Sequence, residues 1–275
     1  MEFTPLTPEQ RSFFETNGYL TVPDALDQKT IERLTEVGDR FIATTEPPHN
    51  FYANRHIDLA LDPALVALTT NPRTVPLVVQ LLNWDLRMMR GNIIYKYPQP
   101  ESDEPLFPDG DGRSFRNWHR DLNNFAANSP IRGMVAVRIG YCLTDFTRAN
   151  SGVTMMVPGS HKLTEPIRIK AGDYDPPGFV EPALKAGDAY LFSTSTYHMP
   201  SVNFTDRVAK GLLVSYCYQW WGQTPPAPDD EVLETMDPIT AQLFGKPFAP
   251  DQLPLKAWSK EHGLPHEDPP MRVFV

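Results

Sequence analysis

Asn150-Ser151-Gly152-Val153-Thr154-Met155-Met156-Val157-Pro158-Gly159-Ser160-His161-Lys162 reads as a turn, a short strand over 153–157 and a second tight turn at Pro158-Gly159. Segments of the same texture flank it. Residues 93–97 and 134–143 precede it and residues 189–193 and 211–220 follow, each rich in β-branched and aromatic residues and bounded by Gly, Pro, Asn or Asp. The first third reads differently. Thr7-Pro8-Glu9-Gln10 is a capping box with proline at the first helical position, and Gly18 ends that helix. Residues 19–22 suggest a short strand, and 27–44 a helix with Ile31, Leu34, Val37 and Phe41 on one face. Asp62-Pro63 and Asn71-Pro72 each signal the start of a short apolar helix. Helices first and strands afterwards predict an α+β fold, with N-terminal helices buttressing an antiparallel sandwich or barrel.

The remaining segments are a polar, Pro/Gly/Asp-rich stretch over 98–113, expected to be a loop that acts as a lid, and a proline-rich end beyond residue 223 with one helical patch near 230–243. Without repeats or a linker, residues 1–275 are expected to form a single domain: a helical scaffold to about 85, a β core from 86 to 222 and an extension from 223 to 275. The net charge of −9 disfavours nucleic acid and anionic membrane as partners and leaves a small molecule as the expected one. No apolar run approaches the ~18 residues of a membrane span, and the N-terminus has neither the basic nor the apolar region of a signal peptide. Cys142 and Cys217 are too few and too far apart for a disulfide framework or a metal-binding CxxC, which points to a reducing, cytoplasmic setting.

Chemistry concentrates at Trp118-His119-Arg120-Asp121. Residues i and i+2 of an extended segment point to one side, so His119 and Asp121 can present a nitrogen and an oxygen to one ion. A distant third ligand, usually His, would complete a 2-His-1-carboxylate set whose open positions suit iron(II). The pair alone is weak, because His56-Ile57-Asp58 repeats it; that second pair is expected to be a decoy.

Four blocks in order distinguish the first pair: His119-Arg120-Asp121, the Asn150–Lys162 stretch, Gly187-Asp188-Ala189-Tyr190-Leu191-Phe192, and His198 with Asn203 five residues on. Together they resemble the phytanoyl-CoA dioxygenase-like family of iron(II)/2-oxoglutarate oxygenases, over about residues 7–221. The resemblance implies a double-stranded β-helix (jelly-roll, cupin-like) fold, iron(II), 2-oxoglutarate and O2, and His119, Asp121 and His198 as both catalytic residues and metal ligands. It makes His161 structural and places Thr154 where many members bind 2-oxoglutarate through a threonine. Arg116 falls where related fungal enzymes place a co-substrate glutamine, and Arg55 resembles an upstream basic residue of the family. The family's co-substrate arginine lies eleven residues after the distal His, which here is Ala209. Arg207, two residues earlier on the same face of an extended strand, is the expected substitute, because a guanidinium grips a carboxylate bidentately.

The reaction implied is oxidation of a small organic molecule (hydroxylation, desaturation or rearrangement) with release of succinate and CO2. Asp121 occupies the position that halogenases of this type leave open to halide, so chlorination is not expected. Trp220, Trp221, Phe125, Phe51 and Tyr52 are candidates for an apolar substrate pocket. Natural-product tailoring is the expected role, and an acyl-CoA is disfavoured by the acidic charge. Two other readings stand beside it: a non-catalytic sensor or binding protein that keeps the barrel, favoured by Ala209, and a cupin-type metalloenzyme without a keto acid.

Overall fold

The computed structural model describes residues 1–44, 51–104, 107–108, 114–121, 134–221 and 227–266. Helix α1 (Pro8–Asn17) begins at the expected capping box, with Thr7 and Gln10 each bonding the other's backbone N–H, and ends at Gly18 with φ +79°. Strand β1 (Tyr19–Val22) leads to α2 (Gln28–Ala43), capped by Asp27. Strand β2 (Tyr52–Ile57) was not anticipated from the sequence; its alternation is masked by Asn54, Arg55 and His56. Asp62 caps α3 (Pro63–Leu68) as expected. Asn71-Pro72 does not open a helix. The Asn71 side chain instead accepts from Arg73 N and Thr74 Oγ1 in a turn, and α4 (Val75–Leu82) starts afterwards with Pro76 in its first turn.

The strands that follow are β3 (Leu86–Lys96), β4 (Phe107–Pro108), β5 (Ser114–Phe115), β6 (Ala136–Cys142), β7 (Thr154–Met156), β8 (Ala189–Ser193), β9 (His198–Pro200) and β10 (Ala209–Tyr218). They form a six-stranded antiparallel sheet in the order β1-β8-β6-β10-β3-β2, a two-stranded pair β7-β9, and the small pair β4-β5. The expected division near residue 85 is therefore crossed, since β1 and β2 are the two edges of the major sheet. Parts of the expected lid, 105–106 and 109–113, lie outside the described residues, as does Phe125.

The major sheet buries both faces. Its outer face packs Ile93, Ile139, Leu191 and Val214 against Leu34, Leu65 and Val78 of the helices, each worth about 1.5–3 kcal/mol of burial. Its inner face presents Ile94, Cys142, Tyr190, Phe192 and Leu213 to Val153 and Met156 of the β7 segment. Gly140 is required there: a Cβ would lie 2.1 Å from the Tyr190 ring, which crosses β6 at that point. The C-terminal segment folds as α5 (Asp230–Glu234), α6 (Pro238–Leu243) and α7 (Pro254–Glu261). It is tied to the start of β3 by buried Gln242, which donates to the Trp84 and Leu86 carbonyls and accepts from Leu255 N. No helix among the described residues is long and apolar enough to cross a membrane.

Candidate metal centre

His119 and His198 are brought together by backbone pairing. Each N–H donates to the other's carbonyl, at 3.1 and 2.9 Å, and Asp121 N donates to Thr194 O at 3.1 Å. Extended geometry then puts His119 and Asp121 on one side. One ligand atom from each of His119, Asp121 and His198 lies within 4.8 Å of the others, and no other such group occurs among the described residues.

Both imidazoles are fixed at the other nitrogen. Nδ1 of His119 lies 2.8 Å from the Asn117 carbonyl and Nδ1 of His198 lies 2.9 Å from that of Thr196. Donation to those carbonyls holds the tautomer that leaves Nε2 as a lone-pair donor. The two Nε2 atoms stand 3.9 and 3.7 Å from the Asp121 carboxylate. Asp121 Oδ2 is buried and takes no hydrogen bond, while Arg138 Nε lies 2.9 Å away as an ion pair. Burial opposes ionisation of Asp121, but His198, Arg138, His119 and Arg90 outweigh it and hold the carboxyl below its usual range. Burial pushes His198 down to about 4, so its imidazole is neutral and able to coordinate. A carboxylate whose buried oxygen takes no hydrogen bond and two oriented Nε2 lone pairs fit a divalent cation of intermediate hardness.

The decoy pair separates. His56 Nδ1 lies 3.4 Å from Asn92 Nδ2, whereas Asp58 caps the 3₁₀ turn Leu59–Leu61. His161 packs against Gly18, with Nε2 3.1 Å from the Glu15 carbonyl, and takes no part in the cluster. Beneath the His-x-Asp segment, Arg120 donates to the Ser160 and Leu163 carbonyls and stacks on Tyr197.

The expected co-substrate residues scatter. Thr154 is buried on the inner face, its hydroxyl 2.7 Å from that of Tyr190. Arg116 makes a bidentate pair with Asp175, which also accepts from Trp118 Nε1; it braces the segment leading into His119. Arg55 is paired opposite Ile93 and shares the outer, helix-facing side with Ala53 and Ile57. Arg207 departs most clearly from expectation. It sits in a bend before β10, is 46% exposed at its side chain, and bonds Asp145 at the surface. Asn203 is the cause: its side-chain amide donates to the Arg207 and Lys96 carbonyls and closes the turn, so strand alternation from residue 209 does not extend back to 207.

Sequence reasoning missed other inner-face residues. Arg138 interrupts the apolar run of β6, and Lys96, 5% exposed, ends β3 directly opposite Ala209. Tyr52 of β2, one of the expected pocket aromatics, is pushed up to about 12 by burial and joins the inner clusters. A narrow cavity of about 10 Å³, room for about one water, is lined by Lys96, Thr154, Tyr190, Ala209 and Leu213 among others. A charged residue inside an apolar strand was the available signal for both cations. Of the candidate pocket aromatics, Trp220 is exposed, and Trp221 packs on Met89, Ala136 and Cys217.

Comparison with known proteins matches residues 14–211 to the family described as phytanoyl-CoA dioxygenase. Ectoine dioxygenase of Halomonas elongata is 25% identical over 234 residues, covering 73% of this chain and 67% of that protein. Dioxygenase trt7 of Aspergillus terreus is 30% identical over 140 residues, 49% of this chain and 47% of its own length. Among solved structures, HygX from Streptomyces hygroscopicus with nickel and 2-oxoglutarate bound superimposes with a TM-score of 0.61 at 19% identity, covering 80% of this chain and 90% of HygX. The epimerase SnoN from nogalamycin biosynthesis gives 0.57 at 22%, covering 76% and 80%. The fold is shared with both.

Proposed function

The chain belongs to the phytanoyl-CoA dioxygenase family, and from that premise we propose that it is an iron(II)- and 2-oxoglutarate-dependent dioxygenase that oxidises a small organic molecule. The observation that carries this reading is the convergence of the two Nε2 atoms and the Asp121 carboxylate on one point. HygX and SnoN structures hold nickel or iron with 2-oxoglutarate, and some hold hygromycin B or a nogalamycin compound. Those neighbours support natural-product tailoring as the setting. The finer fold reading is a double-stranded β-helix, in which β7-β9 is the start of the minor sheet facing the major one, within one oxygenase domain.

His119, Asp121 and His198 would hold the metal, which with 2-oxoglutarate and O2 supplies an oxidant while succinate and CO2 leave. The chain's own part is positional. The Asn117 and Thr196 carbonyls aim the imidazoles; Arg138 keeps Asp121 ionised and oriented; Phe192 and Tyr190 keep water from the inner face. Asp121 fills the place a halide would need, so the product is hydroxylated, desaturated or rearranged and carries no added chlorine. The test is succinate formation from 2-oxoglutarate with and without iron(II) under air. Iron-dependent succinate supports the assignment. Tight iron binding with no succinate in any substrate screen would favour the non-catalytic barrel.

A further inference from the structure

Lys96 is a buried cation without a counter-ion. Its ammonium group donates to the Gly152 carbonyl and, among the described residues, forms no ion pair with a carboxylate. Burial pushes it down to about 7, opposed at longer range by Glu181. An ammonium in an apolar wall carries a large desolvation cost, which it relieves by losing its proton or by meeting an anion.

The surroundings define that anion. Lys96 pairs in register with Ala209 on one side and Tyr52 on the other. The small side chain of Ala209 and the bare Gly152, at φ +94°, leave the space the lysine stem occupies; a Cβ on Gly152 would lie 2.8 Å from Ala209 Cβ and 3.2 Å from Lys96 Cδ. The same cavity holds the Thr154 and Tyr190 hydroxyls. From it, Tyr190 stacks toward Phe192, and Phe192 lies 4.6 Å from the His198 ring. The cavity is thus the far end of the inner-face strip that begins at the metal centre.

We propose that Lys96 holds the distal carboxylate of 2-oxoglutarate, with the Thr154 hydroxyl as a second donor, and that this lysine does the work assigned elsewhere in such sites to an arginine on the strand of Ala209. The assignment rests on the proposed co-substrate. On binding, the ammonium leaves the Gly152 carbonyl for the carboxylate, a charge-assisted bond in a dry cavity. Lysine offers a point charge that deprotonates, and this gives the site a signature no arginine would have. The titratable groups around it are Glu181, Cys142, Tyr52, Tyr141 and Tyr190; burial raises the thiol and the three phenols, Tyr52 to about 12, so they stay neutral while Lys96 titrates.

The test is anaerobic calorimetric titration of the iron(II)-loaded protein with 2-oxoglutarate and with 2-oxopentanoate, which has the same chain and no distal carboxylate. Wild type should prefer 2-oxoglutarate, and its Kd should rise by up to about tenfold per pH unit above neutrality as Lys96 loses its proton. Lys96→Met should weaken 2-oxoglutarate by roughly ten- to a hundredfold, leave 2-oxopentanoate nearly unchanged and abolish the preference. Lys96→Arg should keep the preference and flatten the pH dependence. Arg207→Ala should bind as wild type. Undiminished preference in a folded Lys96→Met overturns the assignment, as does loss of the preference in Arg207→Ala. Wild type that binds neither keto acid overturns the dioxygenase reading itself.

Discussion

At His119, Asp121 and His198 the spacing in sequence and the geometry in space say the same thing, because two of the three proposed ligands are neighbours on one extended segment. Replacing each with Ala should remove stoichiometric iron(II), measured by metal analysis after desalting, whereas His56→Ala and Asp58→Ala should keep it. Wild-type iron in all three triad variants would put the centre elsewhere. The arginines show the opposite case. Arg207 was legible as a charge near the right position, but the Asn203 turn aims it at Asp145, outside. Lys96 stood out as a charge ending an apolar run, but which way it faces was decided only when β3 and β10 were paired. It also carries a stability consequence. Its pKa is about 7 folded against 10.5 as a free side chain, so the unfolded chain binds the extra proton between those values and stability rises with pH across that window. Below about pH 7 the full cost of the buried charge is present, on the order of 5 kcal/mol. Lys96→Met apoprotein should therefore resist urea better than wild type at pH 6, with the advantage shrinking toward pH 10. Equal midpoints at pH 6 would mean that the lysine is not desolvated.

Among elements, the helices were readable from local chemistry, because the side-chain caps of α1, α2 and α3 and the proline starts of α1 and α3 are satisfied within a few residues. Most strands were readable by texture at their centres, but β4, β5 and β9 were not, and neither was β2, one of whose faces meets the polar inner surface while its partner is β3, far along the chain. Nor did the proline-rich end announce that it docks. Gln242 decides that, joining α6 to the start of β3 and to α7 through three buried hydrogen bonds. Gln242→Ala removes three buried hydrogen bonds, the Leu255 N–H losing its partner, and should cost about 2–4 kcal/mol. The measurement is a urea midpoint with an unchanged slope. A shift below 0.5 kcal/mol, by the usual scatter of surface substitutions, would show that the C-terminal helices are not anchored there.

For the molecule as a whole, the metal centre ties together segments that the chain keeps far apart, residues 117–121 and 194–198. A ligand that binds only the folded form stabilises it by mass action, about 2.7 kcal/mol at a hundredfold excess over Kd. Iron(II) at that excess should raise Tm by roughly 5–10 °C for a chain of this size, and a chelator should reverse it. Asp121→Ala should show no such rise. A metal-induced shift in that variant equal to wild type would mean that the ion binds outside the triad.

The sequence by itself determined the elements whose signals are local: the capped helices, the strand centres, the His-x-Asp pair and the order of the motif blocks that made the family recognisable. It also placed His198, because the blocks fix the distal His relative to them. Only the tertiary structure decided which cations face inward. A strand's two faces are chemically equivalent until a partner covers each, and a turn such as 203–207 can break the alternation on which any inference from i to i+2 depends. Ala209 meets Lys96 through a pairing of residues 113 positions apart, whose register is set by the packing of both sheet faces. That pairing, with no counterpart in local sequence, is what turns a buried lysine into a candidate anion site.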